Sequence, residues 1–291
     1  MVILDGGMGR QLQRIGAPFR QPEWSALALH ESPAHVVQAH SDFINAGAQV
    51  ITTNSYAVVP FHIGEALFRE QGAALLALAG RLACEARDAT AKDVKIAAGV
   101  PPLFGSYRPD KFDPARAPSL FAVFREHLLV QCDLVLAETL SSTTETEAFL
   151  EAFAGCGKPV WVSLSLDDDQ PQAGKPKLRS GEALDTALGL SQTHGAEAIL
   201  FNCSQPEVMA DGVMRAKQIL NNAIQIGVYA NAFPPKPAEH EANTGFSPIR
   251  PDLTPERYKQ FADEWANEGA SIIGGCCGVG PEHIAALADT A

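Results

Sequence analysis

One pattern recurs eight times along the chain. Short apolar runs rich in β-branched residues appear as VILDG, AQVITTNSY, VKIAAGV, DLVLAET, PVWVSLSL, AEAILFNCS, IQIGVYANA and ASIIGGCC. Stretches with helical period lie between them, such as SPAHVVQAHSDFINAG, SLFAVFREHLLVQ and TPERYKQFADEWANEG. Ser32-Pro33 and Thr254-Pro255 each set a capping side chain before a proline at the first helical position. Strand alternating with helix, eight times over, is the pattern of an α/β protein of the (β/α)8 TIM-barrel type, with a doubly wound open sheet as the structural rival. A length of 291 residues is normal for one such barrel. A single domain over 1–291 is the simplest reading.

Loop lengths indicate which rim does the chemistry. Connections after the helices are short. Those after three of the strands are long: PPLFGSYRPDKFDPARAP, DDDQPQAGKPKLRSG and FPPKPAEHEANTGFSPIRPDL. Unstructured loops of that length are usually functional. In a barrel the loops after strands build the catalytic face.

Composition excludes several classes. The net charge of −12 argues against a nucleic-acid partner, because phosphate binding needs clustered Lys and Arg. No apolar run reaches the ~18 residues that a membrane span needs; AALLALAGRLACEA is interrupted by Arg81 and Glu85. MVILDGG lacks a basic region followed by a long apolar stretch, so no signal peptide is expected. A cytoplasmic location follows as the expectation. The six cysteines are then read as core residues, metal ligands or nucleophiles rather than as disulfides.

Reactive residues gather at strand ends. Asp5 ends the first run, Glu138 the fourth, Cys203 the sixth and Asn231 the seventh, while Cys276 and Cys277 end the eighth. In a barrel all six share one rim. Adjacent side chains of an extended strand point to opposite faces. For Cys276 and Cys277 to act together the chain must turn there, and Gly274, Gly275 and Gly278 supply the unusual dihedrals. Two thiolates then converge on one ion, with Cys203 as a third ligand. Three protein ligands and an open position describe a catalytic zinc site, and thiolates favour zinc over magnesium or calcium. Two buried structural cysteines, or a vicinal disulfide, are the competing readings. Cys84, Cys132 and Cys156 read as packing residues, the eight histidines show no metal-ligand spacing, and Trp24 is either pocket wall or core. GGMGRQL lacks the third glycine of a dinucleotide loop, since Leu12 stands there.

Together, DGGMGRQL, FNCS and GGCCG resemble the homocysteine S-methyltransferase family, in order and spacing over nearly the whole chain. The resemblance implies a (β/α)8 barrel and a zinc ion held by Cys203, Cys276 and Cys277. It also implies methyl transfer to the sulfur of homocysteine, giving methionine. A free thiol with a pKa of ~8.5 is mostly protonated at neutral pH, and zinc binding deprotonates it. Three cysteine thiolates around Zn²⁺ leave a net charge of about −1, and the substrate sulfur adds another, so the site stays electron-rich and the sulfur nucleophilic. Asp5 and Glu138 are candidates for the substrate ammonium, and backbone N–H groups of Gly6 and Gly7 for its carboxylate. Thr53 and Asn231 match rim positions of the family and are expected to line the pocket.

A length of 291 residues is too short for added folate or cobalamin domains, so none is expected and the methyl group is expected to arrive on a small cationic molecule. S-methylmethionine is favoured, then S-adenosylmethionine; betaine and a selenol acceptor are alternatives. A zinc-dependent hydrolase or sensor of thiol metabolites, with Glu138 as general base, is the reading from a different class. Oxidation is expected to join Cys276 and Cys277. The sequence is silent on oligomeric state.

Overall fold

The computed structural model describes residues 1–221, 223–235, 243 and 245–289. His240 and part of the long loop after the seventh strand lie outside them. Eight strands form one parallel sheet: β1 (Val2–Ile3), β2 (Val50–Thr52), β3 (Lys95–Val100), β4 (Leu134–Leu140), β5 (Val160–Leu164), β6 (Ala198–Asn202), β7 (Gln225–Ala230) and β8 (Ile272–Gly275). Each pairs with its neighbour in sequence from β2 through β8, and β8 pairs with β1. The ring closes between β1 and β2 through the parallel bridge Leu4–Val50, where the Gln49 N–H donates to Ile3 O at 2.8 Å and the Asp5 N–H to Val50 O at 3.0 Å. A closed ring with helices between successive strands is the (β/α)8 barrel, and the open-sheet rival is excluded.

Strand periodicity of two sorts the side chains. Leu4, Val50, Ala97, Leu134, Leu136, Trp161, Ala198, Leu200, Tyr229 and Ile272 pack together inside the barrel. Their neighbours, such as Ile96, Ala98, Val135, Ile199, Phe201 and Ile273, pack outward in the larger core beneath the helices. Burial on both faces explains why these strands read as continuous apolar runs.

The two proline-started helices differ in how they begin. Pro255 opens α10 (Pro255–Glu268) behind Thr254, whose hydroxyl accepts the Arg257 N–H at 3.3 Å as expected. Pro33 opens α3 (Pro33–Asn45), but Ser32 makes no cap bond to the backbone. Its hydroxyl instead meets Nδ1 of His35 at 2.5 Å, a side-chain competitor the cap expectation did not weigh. The loop after β5 is also more ordered than expected: antiparallel bridges Leu166–Leu178 and Lys177–Ala183 fold it into a small hairpin.

Candidate active site

A cavity of about 190 Å³ opens at the C-terminal ends of the strands. Asp5, Gly6, Gly7, Thr53, Glu138, Cys203, Cys276 and Cys277 all line it. Ligand atoms of Cys203, Cys276 and Cys277 lie within 4.8 Å of one another, and no other group of three His, Cys, Asp or Glu residues among the described residues could hold a metal ion. Sulfurs bound tetrahedrally to one zinc at ~2.3 Å stand ~3.8 Å apart, so as thiolates these three fit one ion. Cys84, Cys132 and Cys156 take no part in the cluster.

Two different backbone devices bring the sulfurs together. Cys203 adopts a left-handed conformation, φ 51°. This breaks the alternation after Asn202 and turns the thiol towards the cavity. Cys276 and Cys277 lie in the turn after β8, where Gly278 has φ 87°. Gly274 and Gly275, expected to share that role, lack positive φ. They are needed for close packing: a Cβ on Gly274 would lie 2.9 Å from Asp5 O, and one on Gly275 would run into the Val279 side chain. The turn is tied to its neighbours by the Cys276 N–H donating to Ala230 O at 2.9 Å and the Ala232 N–H donating to Cys277 O at 2.8 Å.

Cys203 and Cys276 are joined as a disulfide, with Cα atoms 5.8 Å apart, and Cys277 is not part of it. The oxidised pair therefore differs from the vicinal pair expected. The turn brings Cys276 to the end of β6, at a Cα separation ordinary for a disulfide.

The two acidic residues are held differently. The carboxylate of Asp5 accepts the Thr52 N–H at 2.7 Å and the Thr52 hydroxyl at 3.3 Å. Burial nevertheless pushes its pKa up to about 7. Glu138 faces the cavity, with no hydrogen-bond partner among the described residues. Burial first, and the nearby Asp5 second, push its pKa up to about 8. An acidic pair with one member unpartnered is poised to take an ammonium group, which would favour ionisation of both. Gly99 makes room for it, since a Cβ there would sit 2.5 Å from Glu138 Oε2.

A β-bulge follows Glu138. Ala137 pairs with Val162 and Leu140 with Leu164, so β4 carries one extra residue between them. Alternation along Leu134, Leu136 and Glu138 keeps the carboxylate inward, and the bulge then lets Leu140 pack outward. Thr139, the residue after Glu138, is left-handed with φ 61°. Its hydrogen-bonding groups are met by Asn202, a residue the sequence did not single out.

Two expectations, those for Gly7 and Asn231, need correction. The Gly7 N–H donates to Val279 O at 2.9 Å and is not available to a substrate carboxylate. Gly7 serves close approach instead: a Cβ there would sit 2.6 Å from Cys276 O. Asn231 does not line the cavity. It lies fully buried behind the cysteine cluster, donating from Nδ2 to Cys203 O at 2.9 Å and accepting the Phe233 N–H at 3.0 Å, so its amide supports the loop carrying Cys203. Thr53 does line the cavity, but its hydroxyl accepts the Gly99 N–H at 3.1 Å and contacts Ser55 Oγ at 2.8 Å. Gly6, by contrast, lies on the wall with its N–H unused by any backbone acceptor among the described residues.

Aromatic residues form the upper wall. Trp24 lies against Phe19 and Phe246, with ring centroids 5.7 and 5.4 Å away, and its indole N–H donates to Asn243 Oδ1 at 2.7 Å. Trp24 is thus pocket wall. Tyr56 enters deeper, its hydroxyl 2.7 Å from that of Ser106. Arg10 also faces the cavity. Among these only Trp24 drew attention in the sequence; Phe246 and Arg10 meet across more than 200 residues of chain.

No helix among the described residues is long and apolar enough to cross a membrane. The model of the homocysteine S-methyltransferase family matches residues 2–291. Homocysteine S-methyltransferase 1 of Arabidopsis thaliana is 26% identical, over 98% of this chain and 91% of that protein. Selenocysteine Se-methyltransferase of Brassica oleracea var. italica is also 26% identical, over 98% of this chain and 87% of its own. Among solved structures, the metallated form of the homocysteine methyltransferase MmuM from Escherichia coli superposes with a TM-score of 0.82 at 26% identity, covering 100% of this chain and 96% of that one. Motif order, barrel, cysteine cluster and family match agree, and the chain belongs to the homocysteine S-methyltransferase family.

Proposed function

We propose that this chain, acting as one domain over 1–291, transfers a methyl group from a small cationic donor to the thiol of L-homocysteine, giving methionine, with zinc held by Cys203, Cys276 and Cys277. The observation that carries this reading is the convergence of three cysteine sulfurs beside an acidic pair in one cavity. Zinc, when bound, supplies Lewis acidity that lowers the pKa of the acceptor thiol.

The remaining work falls to the residues of the chain. Glu138 and Asp5 bind the ammonium of homocysteine as carboxylates, and the Gly6 N–H is available to its carboxylate. Thr52, through two hydrogen bonds, fixes the direction of the Asp5 carboxylate. Asn231 holds the Cys203 carbonyl, and Asn202 holds the bulge behind Glu138. Placing acceptor and donor in line inside one cavity removes much of the entropic barrier of a bimolecular displacement. The acceptor sulfur forms a bond to the methyl carbon as the donor's bond to it breaks. With a sulfonium donor the bonding pair stays on the departing sulfur, which leaves as a neutral thioether.

A cationic donor suits the wall formed by Trp24, Phe19 and Phe246, because aromatic faces attract cations. S-methylmethionine is the first candidate and S-adenosylmethionine the second, with betaine as an alternative. The Brassica relative named for selenocysteine supports a selenol as an alternative acceptor. The proposed compartment is the cytoplasm.

The test is to incubate zinc-loaded protein with homocysteine and each methyl-labelled donor, and to follow labelled methionine by mass. Label passing from S-methylmethionine is the expected result. Label from betaine alone overturns the sulfonium preference. No transfer from any donor with zinc present would favour a hydrolase or sensor.

A further inference from the structure

Arg10 stands on the first turn of α1 (Met8–Arg14) and is the one Lys or Arg among the described residues lining the cavity. The other basic residue there, His62, is driven towards its neutral form by burial. The rest of the charge in the cavity is acidic: Asp5, Glu138 and the cysteine cluster. Arg10 has no carboxylate partner among the described residues.

Its guanidinium is nonetheless held in place. It lies 5.5 Å from the centroids of both the Phe233 and Phe246 rings. Nη1 donates to Gln13 Oε1 at 2.8 Å, and Nη2 to Ser247 O at 2.6 Å. These use two of the five N–H donors of an arginine. A planar fork fixed between rings, with donors left over, suits a carboxylate.

We propose that Arg10 selects the methyl donor by binding its carboxylate, so that the preferred donor is a sulfonium or ammonium compound that also carries a carboxyl group. This rests on the methyl-transfer reading above. Donor and acceptor ends of the cavity are distinguished by their neighbours. Homocysteine bound at Asp5 and Glu138 carries its carboxylate on the same carbon as its ammonium, and so keeps it near that pair. Arg10 is tied instead to Ser247 of the loop after β7 and to Phe246, which is 47% exposed at the rim. A donor spanning this region sets its cationic centre against the aromatic wall and its carboxylate on Arg10.

The test compares zinc-loaded wild type, Arg10→Met and Arg10→Lys at saturating homocysteine, with S-methylmethionine and with trimethylsulfonium, which has no carboxylate. Losing a charge-assisted hydrogen bond predicts that Arg10→Met lowers kcat/KM for S-methylmethionine by about 10- to 100-fold, mainly through KM. Transfer from trimethylsulfonium should change less than about twofold, and Arg10→Lys should recover part of the loss. Equal loss with both donors overturns the proposal, because Arg10 then only braces the loop. A larger effect on the KM of homocysteine than on that of S-methylmethionine also overturns it. Calorimetric titration of S-methylmethionine into the same proteins without acceptor provides a readout independent of turnover. Binding to wild type that weakens in Arg10→Met supports the contact even if no methyl moves, in which case only the methyl-transfer reading fails. Equal binding to both proteins, or none to wild type, overturns the role of Arg10.

Discussion

The Asn202 side chain satisfies Thr139 twice, accepting its N–H at Oδ1 (3.0 Å) and donating from Nδ2 to its hydroxyl (2.9 Å). The two residues lie 63 positions apart and both are fully buried. This pair holds the bulge in β4 that follows Glu138. Asn202 also sits immediately before Cys203, so one amide links the acidic half of the site to the sulfur half.

Replacing Asn202 with Ala leaves the Thr139 N–H without a partner. A buried unsatisfied donor costs about 1–3 kcal/mol. The variant should be less stable by that amount in urea titration. Its homocysteine KM should rise by about tenfold as Glu138 loses its support, a cost on the order of 1.4 kcal/mol. A variant with wild-type stability and KM would show that the bulge stands without Asn202.

The cysteine cluster predicts metal stoichiometry. Freshly reduced protein should bind about one zinc per chain, because three thiolates on rigid strand ends make one site. Cys203→Ser should lose zinc and activity together, whereas Cys84→Ser should keep both. Metal analysis alongside activity checks this, and full activity in Cys203→Ser would rule out the proposed ligand set. Under mild oxidation, peptide mapping should recover Cys203 linked to Cys276 rather than Cys276 linked to Cys277.

Glu138 should give the site a pH dependence. Its carboxyl is raised to about 8 by burial and by Asp5, so it is neutral at lower pH and charged above. An ammonium ligand requires the charged form. The homocysteine KM should therefore fall as pH rises from about 6.5 to 8.5. Glu138→Gln should raise KM by about 10- to 100-fold, equivalent to roughly 1.5–3 kcal/mol, and remove the upper part of the pH profile. The stability effect runs the other way. A raised carboxyl favours the folded state below its unfolded pKa near 4.5, and that advantage is lost as pH rises through about 8. Ligand-free wild type should lose more stability between about pH 6 and 8.5 than Glu138→Gln does; equal losses would contradict the assignment.

His40 in α3 predicts acid sensitivity away from the site. It is fully buried, neither ring nitrogen has a hydrogen-bond partner among the described residues, and burial lowers its pKa to about 4. A depressed histidine contributes stability above its unfolded pKa of ~6.5 and loses it as pH falls towards 4. The loss amounts to about 3 kcal/mol. His40→Leu should remove most of that loss. The measurement is the urea midpoint at about pH 7 and pH 4.5, and an identical decline in both proteins would exclude His40 as the cause.

Local order in the sequence determined the barrel. Strands covered on both faces must be apolar throughout, helices between them must be apolar on one side, and eight such units in succession have a closed parallel ring as a stable packing. The same order put Asp5, Glu138, Cys203, Cys276 and Cys277 at the ends of strands, and therefore at one rim. What the tertiary structure decided was direction. Cys203 reaches the cavity only through a left-handed turn, and Asn231, at an equally suitable strand end, turns its amide to the Cys203 carbonyl. Gly7 gives its N–H to Val279, so the two glycines of one turn have different opportunities. Arg10 meets Ser247 across 237 residues and Asn202 meets Thr139 across 63. Periodicity records which side of an element is buried. It carries no information on which distant hydrogen-bonding group fills the space opposite, and that pairing sets where each functional side chain points.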